Sequence, residues 1–256
     1  MGKVEEYLRE EIEREGCIHL TLIDPDKLNA ESAARVAKAA ERVGSKAIMV
    51  GGSLGVTEGM LDSLILNLKD ACSLPVILFP GDVSNISRYA DAIWFLSVLN
   101  SSSTYHLIGA QVKGGIIVRK YGLEAIPLAY LILGEGGIVS YVSQTRPLPF
   151  EKAELIKAYA IAAELLGFRF LYLEGGSGSK PIPANVVSEV RKCINIPIIV
   201  GGGIKEAQIA GSLASAGANV IVTGNLVEEV RDVEKALKVI INAIKGARSK
   251  GGPISR

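Results

Sequence analysis

Short apolar runs rich in β-branched residues alternate along the chain with longer stretches of helical periodicity. The runs are apolar throughout, as expected for strands that are covered on both faces. They predict eight strands, at residues 18–23, 46–50, 76–79, 92–96, 125–133, 170–173, 196–200 and 220–223. Strands that alternate with helices in this way are typical of βαβ units around a parallel sheet.

The segments between the strands predict helices at residues 30–43, 61–72, 152–166, 183–193, 207–216 and 233–244. Segment 80–89 is too short for a full helix, so we expect a shortened helix after the third strand. Eight strand–helix units in 256 residues favour the α/β class, as a single-domain (β/α)8 TIM barrel. An open doubly wound sheet is the structural alternative.

The composition agrees with a single barrel domain and disfavours some classes of function. We expect one barrel domain over residues 1–256, with an N-terminal helix in 1–16 and a flexible, glycine-rich tail in 246–256. The formal net charge of +1 gives no strong field to attract nucleic acid or an anionic membrane. No apolar run is long enough for stable membrane insertion, and the charged start is unlike a signal peptide. Three isolated cysteines fit packing roles in a reducing cytoplasm.

Glycine-rich turns follow the last three predicted strands, at residues 175–178, 201–204 and 224–225. In a barrel, the loops after the strands converge on one face, where active sites lie. Glycine turns let backbone N–H groups approach phosphate oxygens closely, and the following helix N-termini favour negative charge. Three such turns on neighbouring units predict a phosphate site, although tight strand–helix turns also favour glycine for conformational reasons alone.

Glu174 lies at the end of the sixth strand, among these glycines. Since like charges repel, its carboxylate is not expected to bind phosphate; it could accept hydrogen bonds or a proton from a substrate hydroxyl. The structural alternative is a carboxylate that caps a helix or pairs with a lysine. Tyr172 precedes it by two positions, so both side chains face the same side of the strand.

Asp24 and Ser53 follow the first two strands and are expected at the same rim. A carboxylate with a hydroxyl is a sparse ligand set for Mg²⁺, which keeps several waters and takes other ligands from substrate phosphates. The pair therefore implies a diphosphate substrate. The alternatives are an Asx-turn for Asp24 before Pro25 and a helix or turn cap for Ser53. Lys27 could contact phosphate or remain solvated.

The fourth strand carries Trp94 and Phe95, with further apolar residues after it. An apolar, aromatic rim beside a phosphate site could line a groove for a long hydrocarbon, although core packing explains most such residues. His19 and His106 show no metal-like spacing, and we interpret both as structural.

Five motifs together resemble one known family, the geranylgeranylglyceryl phosphate synthases, in its archaeal branch of larger oligomers. The motifs are 22–27 (LIDPDK), 51–53 (GGS), 172–178 (YLEGGSG), 201–204 (GGGI) and 224–225 (GN). The string YLEGGSG is the most specific, since the triple glycine occurs in many phosphate-binding barrels. The resemblance extends from about Cys17 to Val230.

The resemblance implies an Mg²⁺-dependent prenyltransferase of archaeal ether-lipid biosynthesis. Such enzymes join the 3-hydroxyl of sn-glycerol 1-phosphate to geranylgeranyl diphosphate and release diphosphate. Carried onto this chain, Asp24 and Ser53 would hold Mg²⁺ on the diphosphate, and Trp94 would shape the prenyl channel. Glu174 is the candidate catalytic base. The implied substrate-binding residues are Tyr172, Leu173, Glu174, Gly175, Gly176, Ser177, Gly178, Gly202, Gly203, Ile204, Gly224 and Asn225. The resemblance also suggests a homo-oligomer, either a dimer or a hexamer.

Three other functions remain open from the sequence. One is a related prenylglyceryl phosphate synthase that uses a different chain length. Another is a sugar-phosphate isomerase or aldolase barrel, but an aldolase needs a Schiff-base lysine within a strand, and Lys46 lies at a strand start, away from the rim. The last is a non-catalytic barrel that binds phosphate ligands, which the acidic residues at the rim disfavour.

Overall fold

The computed structural model describes residues 1–52 and 56–248, except for the side chains of Glu229 and Arg248. Within these ranges, eight parallel strands pair in chain order and close into a barrel, with β8 against β1. The strands are β1 (Ile18–Ile23), β2 (Ala47–Val50), β3 (Val76–Leu78), β4 (Ala92–Val98), β5 (Glu124–Ile132), β6 (Phe170–Glu174), β7 (Ile198–Gly201) and β8 (Val220–Thr223). Closure confirms the TIM barrel and excludes the open sheet.

Helices follow most strands and form the outer layer. They are α1 (Lys3–Glu15), α2 (Ala30–Val43), α3 (Glu58–Ala71), α4 (Ala110–Tyr121), α5 (Gly137–Val142), α6 (Ala153–Leu165), α7 (Ala184–Arg191), α8 (Ala207–Ser215), α9 (Asn225–Glu229) and α10 (Val233–Arg248). A π-helical turn, Tyr105–Gly109, leads into α4. Helix α10 continues past Gly246, where the sequence predicted a flexible tail, and residues 249–256 lie outside the described ranges. No described helix is both long and apolar enough to span a bilayer.

The third unit departs furthest from a regular barrel. Residues 79–91 form turns, bends and irregular backbone, so the shortened helix that we expected after the third strand is absent from this segment. Strand β3 has three residues, whereas β4 has seven. Pairing between them covers only Ile77 with Ala92 and Leu78 with Ile93. The upper half of β4 therefore extends beyond its neighbour.

The barrel interior is a packed core, filled by alternate residues of each strand. Its aromatic members include Trp94 and Phe170, with ring centroids 5.2 Å apart, and Tyr172, which stacks on Phe79 at 5.3 Å. Helix α1 lies at the end of the barrel where the strands begin, since it directly precedes the first strand. Glu124, the first residue of β5, accepts hydrogen bonds from the N–H groups of Val4 and Glu5, both at 2.8 Å. These bonds tie the start of α1 to the barrel.

Candidate active site

The turns after β6, β7 and β8 meet at one edge of the barrel, as their glycines predicted. The Gly175 N–H donates to the Gly201 carbonyl at 3.0 Å, which continues the ladder between β6 and β7 beyond the strand end. The Ser177 hydroxyl donates to Asn225 Oδ1 at 2.6 Å and links the β6 turn to the start of α9. The structure thus brings the predicted phosphate-binding segments together.

Two of the implied contact residues present backbone rather than side chains to this edge. Leu173 and Ile204 have buried side chains that belong to the apolar layer between strands and helices. Any substrate contact from these two positions would therefore come from their N–H or C=O groups.

Glu174 ends β6, and its side chain is only 7% exposed. Its Oε1 accepts from the Gly176 N–H at 2.6 Å, and its Oε2 accepts from the Tyr130 hydroxyl at 3.0 Å. Burial raises the pKa of Glu174, while the hydrogen bonds from Gly176, Tyr130 and Tyr172 oppose that shift. Within the described ranges, the carboxylate neither pairs with a lysine nor caps a helix; its partners are the Gly176 N–H and the Tyr130 hydroxyl.

Close packing around Glu174 explains one of the glycines of the β7 turn. Gly202 has φ of +88°, a conformation that other residues rarely adopt. A Cβ built at this position would lie 2.4 Å from Glu174 Oε1 and 2.6 Å from the Gly176 nitrogen. Any side chain at position 202 would therefore displace the carboxylate, so this glycine serves the site as well as the turn.

Two tyrosines support Glu174 from inside the barrel. Tyr172 is 1% exposed, and it aligns across the sheet with Tyr130. Burial raises the pKa of both hydroxyls well above the usual value, so each keeps its proton and can donate to the carboxylate. Tyr172 lies beneath Glu174, and a Cβ at Gly201 would lie 1.9 Å from its hydroxyl oxygen. The predicted contact of Tyr172 with a substrate remains a prediction.

Asp24 lies just past β1, on the other side of the rim. Its Oδ1 accepts from the Asp26 N–H at 3.0 Å, so the Asx-turn alternative is also realised. Lys27 donates to Glu228 Oε2 at 2.7 Å, and its Nζ lies 3.9 Å from Asp24 Oδ2. Partial burial raises the pKa of Asp24, while the Asp26 N–H and the Lys27 ammonium oppose the shift. Lys27 is therefore paired with carboxylates rather than simply solvated.

The acidic side of the rim suits a cation that a substrate brings with it. Ser53, the second predicted metal ligand, lies outside the described residues. In the described ranges, no three His, Cys, Asp or Glu side chains converge into a metal cage. A Cβ at Gly52 would lie 2.4 Å from Asp24 Oδ1, so the absence of a side chain there keeps the carboxylate accessible. One open carboxylate fits Mg²⁺ that keeps waters and takes phosphate oxygens as its other ligands.

A cavity connects these polar groups to an apolar region. Its volume is about 300 Å³, at the low end of the range for small-molecule sites. Asp24, Glu174, Ser177, Asn225 and Glu228 line its polar end. The apolar walls come from segment 79–91, β4, α4 and α5, through Ile86, Trp94, Phe95, Leu96, Ala110, Val139 and Val142. Ile93 and Phe95 face outward from β4, whereas Trp94 and Leu96 face inward. The cavity therefore passes the upper edge of β4, where β3 has ended.

The structure also places the residues whose roles the sequence left open. Trp94 is fully buried and lines the cavity, as the groove interpretation requires. His106 also lines the cavity, 5.2 Å from the Tyr105 ring. His19 is buried between the Ser45 hydroxyl at 3.1 Å and the Thr223 hydroxyl at 2.9 Å, in agreement with a structural role. Lys46 pairs with Glu11 and Glu15 of α1, at the end of the barrel away from the rim.

Sequence reasoning missed Tyr130, Glu228 and Gln111. Tyr130 reaches the site through the register of β5 against β6, which places it directly beside Tyr172 and which no sequence pattern indicated. Glu228 follows Asn225 by three positions, the spacing at which helical side chains share a face. Gln111, at the start of α4, lines the cavity and donates to the Leu96 carbonyl. No sequence pattern indicated it, since this contact depends on the unequal lengths of β3 and β4.

A model of the PcrB family matches residues 9–244 of this chain. A geranylgeranylglyceryl phosphate synthase of Thermofilum pendens is 52% identical over 244 residues, which are 95% of this chain and 96% of the relative. One of Pyrococcus abyssi is 45% identical over 249 residues, covering 97% of this chain and 99% of that protein. These similarities extend over nearly the full length of each protein.

A crystal structure with the same fold has been solved in complex with a substrate. It is the (S)-3-O-geranylgeranylglyceryl phosphate synthase of Thermoplasma acidophilum, bound to sn-glycerol-1-phosphate. It is 42% identical and has a TM-score of 0.92, and the alignment covers 96% of this chain and 99% of that one.

Proposed function

The chain belongs to the PcrB family, and from this membership and its site we propose that it is a prenyltransferase of archaeal ether-lipid synthesis. It joins the 3-hydroxyl of sn-glycerol 1-phosphate to geranylgeranyl diphosphate and releases diphosphate. The observation that carries the proposal is a single cavity with glycine turns and Glu174 at one side, Asp24 at the other, and an apolar extension between them.

The turns after β6, β7 and β8 bind the phosphate of glycerol 1-phosphate. Their backbone N–H groups supply donors without adding charge, and the Ser177–Asn225 hydrogen bond holds two of the turns together. Anchoring the phosphate places the glycerol hydroxyls beside Glu174, so that attack on the prenyl carbon becomes effectively intramolecular.

Glu174 accepts the proton of the attacking 3-hydroxyl. Its position at the strand end fixes the carboxylate within the cavity, and hydrogen bonds from the Gly176 N–H and the Tyr130 hydroxyl orient it. Because burial raises its pKa above that of an exposed glutamate, the carboxylate is a stronger base than it would be in water. The Tyr130 and Tyr172 hydroxyls stay protonated and keep the carboxylate in place rather than exchange protons with it.

Asp24 would hold Mg²⁺ at the diphosphate end of the cavity. The metal bound there would supply positive charge against the negative charge that develops on the departing diphosphate. Asp24 itself stays accessible because position 52 has no side chain, and the Lys27 ammonium lies beside it, paired with Glu228. Ser53 remains the proposed second ligand.

The apolar part of the cavity takes the prenyl chain. Its walls carry few polar side chains, and the inner end reaches Trp94, the residue that the family resemblance associates with channel shape. A related synthase with another chain length is the second candidate, since the same cavity walls would serve a shorter or longer donor. An aldolase is disfavoured because Lys46 pairs with α1 carboxylates away from the rim.

The test is to incubate the purified protein with labelled sn-glycerol 1-phosphate, Mg²⁺ and prenyl diphosphates of several lengths. We expect the ether product, with the geranylgeranyl donor used most efficiently. A different preferred donor would favour the second candidate. Binding of both substrates without any ether product would favour a non-catalytic phosphate-binding barrel.

The proposal also includes assembly and location. Large apolar side chains stand exposed on α4 and α6, among them Ile116 at 74% and Leu165 at 81%, which supports a homo-oligomer, as a dimer or a hexamer. Sedimentation as a monomer at micromolar concentration would contradict this. Cys17, Cys72 and Cys193 are all free, which supports action in the reducing cytoplasm.

A further inference from the structure

The upper part of β4 exposes an unpaired backbone edge inside an apolar passage. Pairing with β3 ends at Ile93, whereas β4 continues to Val98. Leu99 N–H donates to the Tyr130 carbonyl of β5. Since the backbone groups of a strand alternate between its two edges, the carbonyl of Leu96 faces the other edge, where β3 has ended. A buried carbonyl without a partner is strongly unfavourable.

Gln111 supplies the missing partner. It lies in the first turn of α4, which packs on the outer face of β4, where the Ser97 hydroxyl donates to the Leu107 carbonyl at 2.6 Å. From there the Gln111 side chain reaches the edge, and its Nε2 donates to the Leu96 carbonyl. A helix side chain thus replaces the strand that would normally pair with this edge.

The same glutamine forms part of the cavity wall. Gln111 and Leu96 both line the cavity, together with Phe95 on the outer face of β4 and Ile86 from segment 79–91. The other amide atom of Gln111, Oε1, is buried and has no hydrogen-bond partner among the described residues. A side chain that served packing alone would be expected to be apolar here, because burying an amide in an apolar wall is unfavourable unless the amide makes a hydrogen bond.

We propose that Gln111 is a positioning residue for the prenyl donor, because it masks the Leu96 carbonyl where the hydrocarbon crosses the edge of β4. Without this mask, water would solvate the carbonyl, and an incoming chain would have to remove that water. The inference rests on the proposed function, since it assumes that the cavity takes a prenyl chain. It adds a specific role for Gln111, which removes an unpaired carbonyl from the path of the hydrocarbon where β4 extends beyond β3.

The test compares the binding of two unreactive donors to Gln111→Met and Gln111→Glu, both of which lack an amide donor. The probes are the thiodiphosphate analogues of geranylgeranyl and dimethylallyl diphosphate, with Kd measured by calorimetry in the presence of Mg²⁺. Loss of the masking bond should weaken geranylgeranyl binding about tenfold in both variants, the size expected for an unsatisfied buried carbonyl. Dimethylallyl binding should change less than about twofold, because that chain ends near the diphosphate.

Gln208→Met is the matched control, since Gln208 is exposed on α8, which follows β7 and contributes no residue to the cavity lining. It should bind both analogues as the wild type does, and thermal unfolding of each variant checks that the barrel is intact. Wild-type affinity in Gln111→Met would show that the residue only fills space and would overturn the inference. Tighter geranylgeranyl binding would overturn it too, because Gln111 would then obstruct the passage. If the wild type neither binds the geranylgeranyl analogue nor forms ether product, the proposed function itself fails.

Discussion

Glu174 combines burial, which favours its neutral form, with hydrogen bonds that favour its charged form. Its carboxylate is therefore held in one place and remains able to take a proton. This balance depends on particular neighbours. Tyr130 donates from β5, Gly176 donates from the turn, and Gly202 leaves the space that the carboxylate occupies.

Replacing Glu174 with glutamine should remove the base and keep the shape of the site. We expect kcat to fall roughly 10²–10⁴-fold, the usual contribution of a general base. Affinity for the prenyl diphosphate should stay within a few-fold of wild type, since Asp24 and the apolar walls are unchanged. Steady-state kinetics with both substrates measure the two effects. Glu13→Gln, on the exposed face of α1, is the control; near-normal turnover in Glu174→Gln would remove Glu174 from the mechanism.

Asp24 is the described side chain best placed to hold Mg²⁺ on the diphosphate. An Asp24→Ala variant should need a much higher Mg²⁺ concentration for half-maximal rate, roughly tenfold or more for the loss of a charged ligand. A Mg²⁺ titration of the initial rate measures this requirement. Asp70→Ala on α3, an exposed carboxylate, should leave the titration unchanged. An unaltered Mg²⁺ dependence in Asp24→Ala would refute the assignment.

His19 makes stability depend on pH. Burial lowers its pKa from 6.5 to about 3, so the folded protein keeps the ring neutral, bonded to Ser45 and Thr223. In the unfolded chain the histidine binds a proton below its ordinary pKa of 6.5, whereas in the folded protein it does not. The free energy of unfolding is therefore unaffected by this group above pH 6.5 and decreases as the pH falls from 6.5 toward 3. The loss is up to about 1.4 kcal/mol per pH unit. Urea unfolding between pH 7 and 5 should show a shallower pH dependence in His19→Gln; identical slopes would contradict this.

At the scale of elements, α1 depends on a partner from the sheet. Its N-cap, Gly2, has no side chain to cap the helix, and Glu124 of β5 accepts hydrogen bonds from the N–H groups of Val4 and Glu5 in the first turn of α1 instead. The negative charge also suits the positive end of the helix. The helix start and the fifth strand should therefore be stabilised as a unit.

A Glu124→Ala variant should lose about 1–3 kcal/mol of unfolding free energy, because two charge-assisted hydrogen bonds are removed. Denaturant unfolding measures the loss, and turnover per folded molecule should be unchanged, because α1 lies at the end of the barrel away from the rim. Glu151→Ala, at an exposed carboxylate, is the comparison. Equal stability of the two variants would show that the Glu124 bonds contribute nothing.

The positions of the strands were predictable because parallel strands buried on both faces are continuously apolar. The ends of the strands were harder to predict than their positions. Strand β4 was predicted to stop at Leu96, yet it runs on to Val98, and the hydroxyl of the polar Ser97 within it donates to the Leu107 carbonyl. Residues 79–91 carry no helix, whereas the sequence predicted a shortened helix in this segment.

At the scale of the whole molecule, the meeting of distant turns at one rim was predictable, because parallel strands in a barrel all end on the same face. The sequence could not predict which side chains would meet between strands. The bond from Tyr130 to Glu174 depends on register, and the passage beside Gln111 depends on β3 being shorter than β4. Such features depend on the register and the length of one strand relative to another, which a local sequence pattern does not indicate.

The central claim is that one rim holds a phosphate on its glycine side and a diphosphate on its acidic side. The most direct measurement is a crystal structure of this protein with sn-glycerol 1-phosphate, Mg²⁺ and geranylgeranyl thiodiphosphate. The account predicts the glycerol phosphate between the turns after β6, β7 and β8, with its 3-hydroxyl beside Glu174, and the thiodiphosphate near Asp24 with its chain passing Leu96. Glycerol phosphate bound at Asp24, or a prenyl chain outside the cavity, would contradict it.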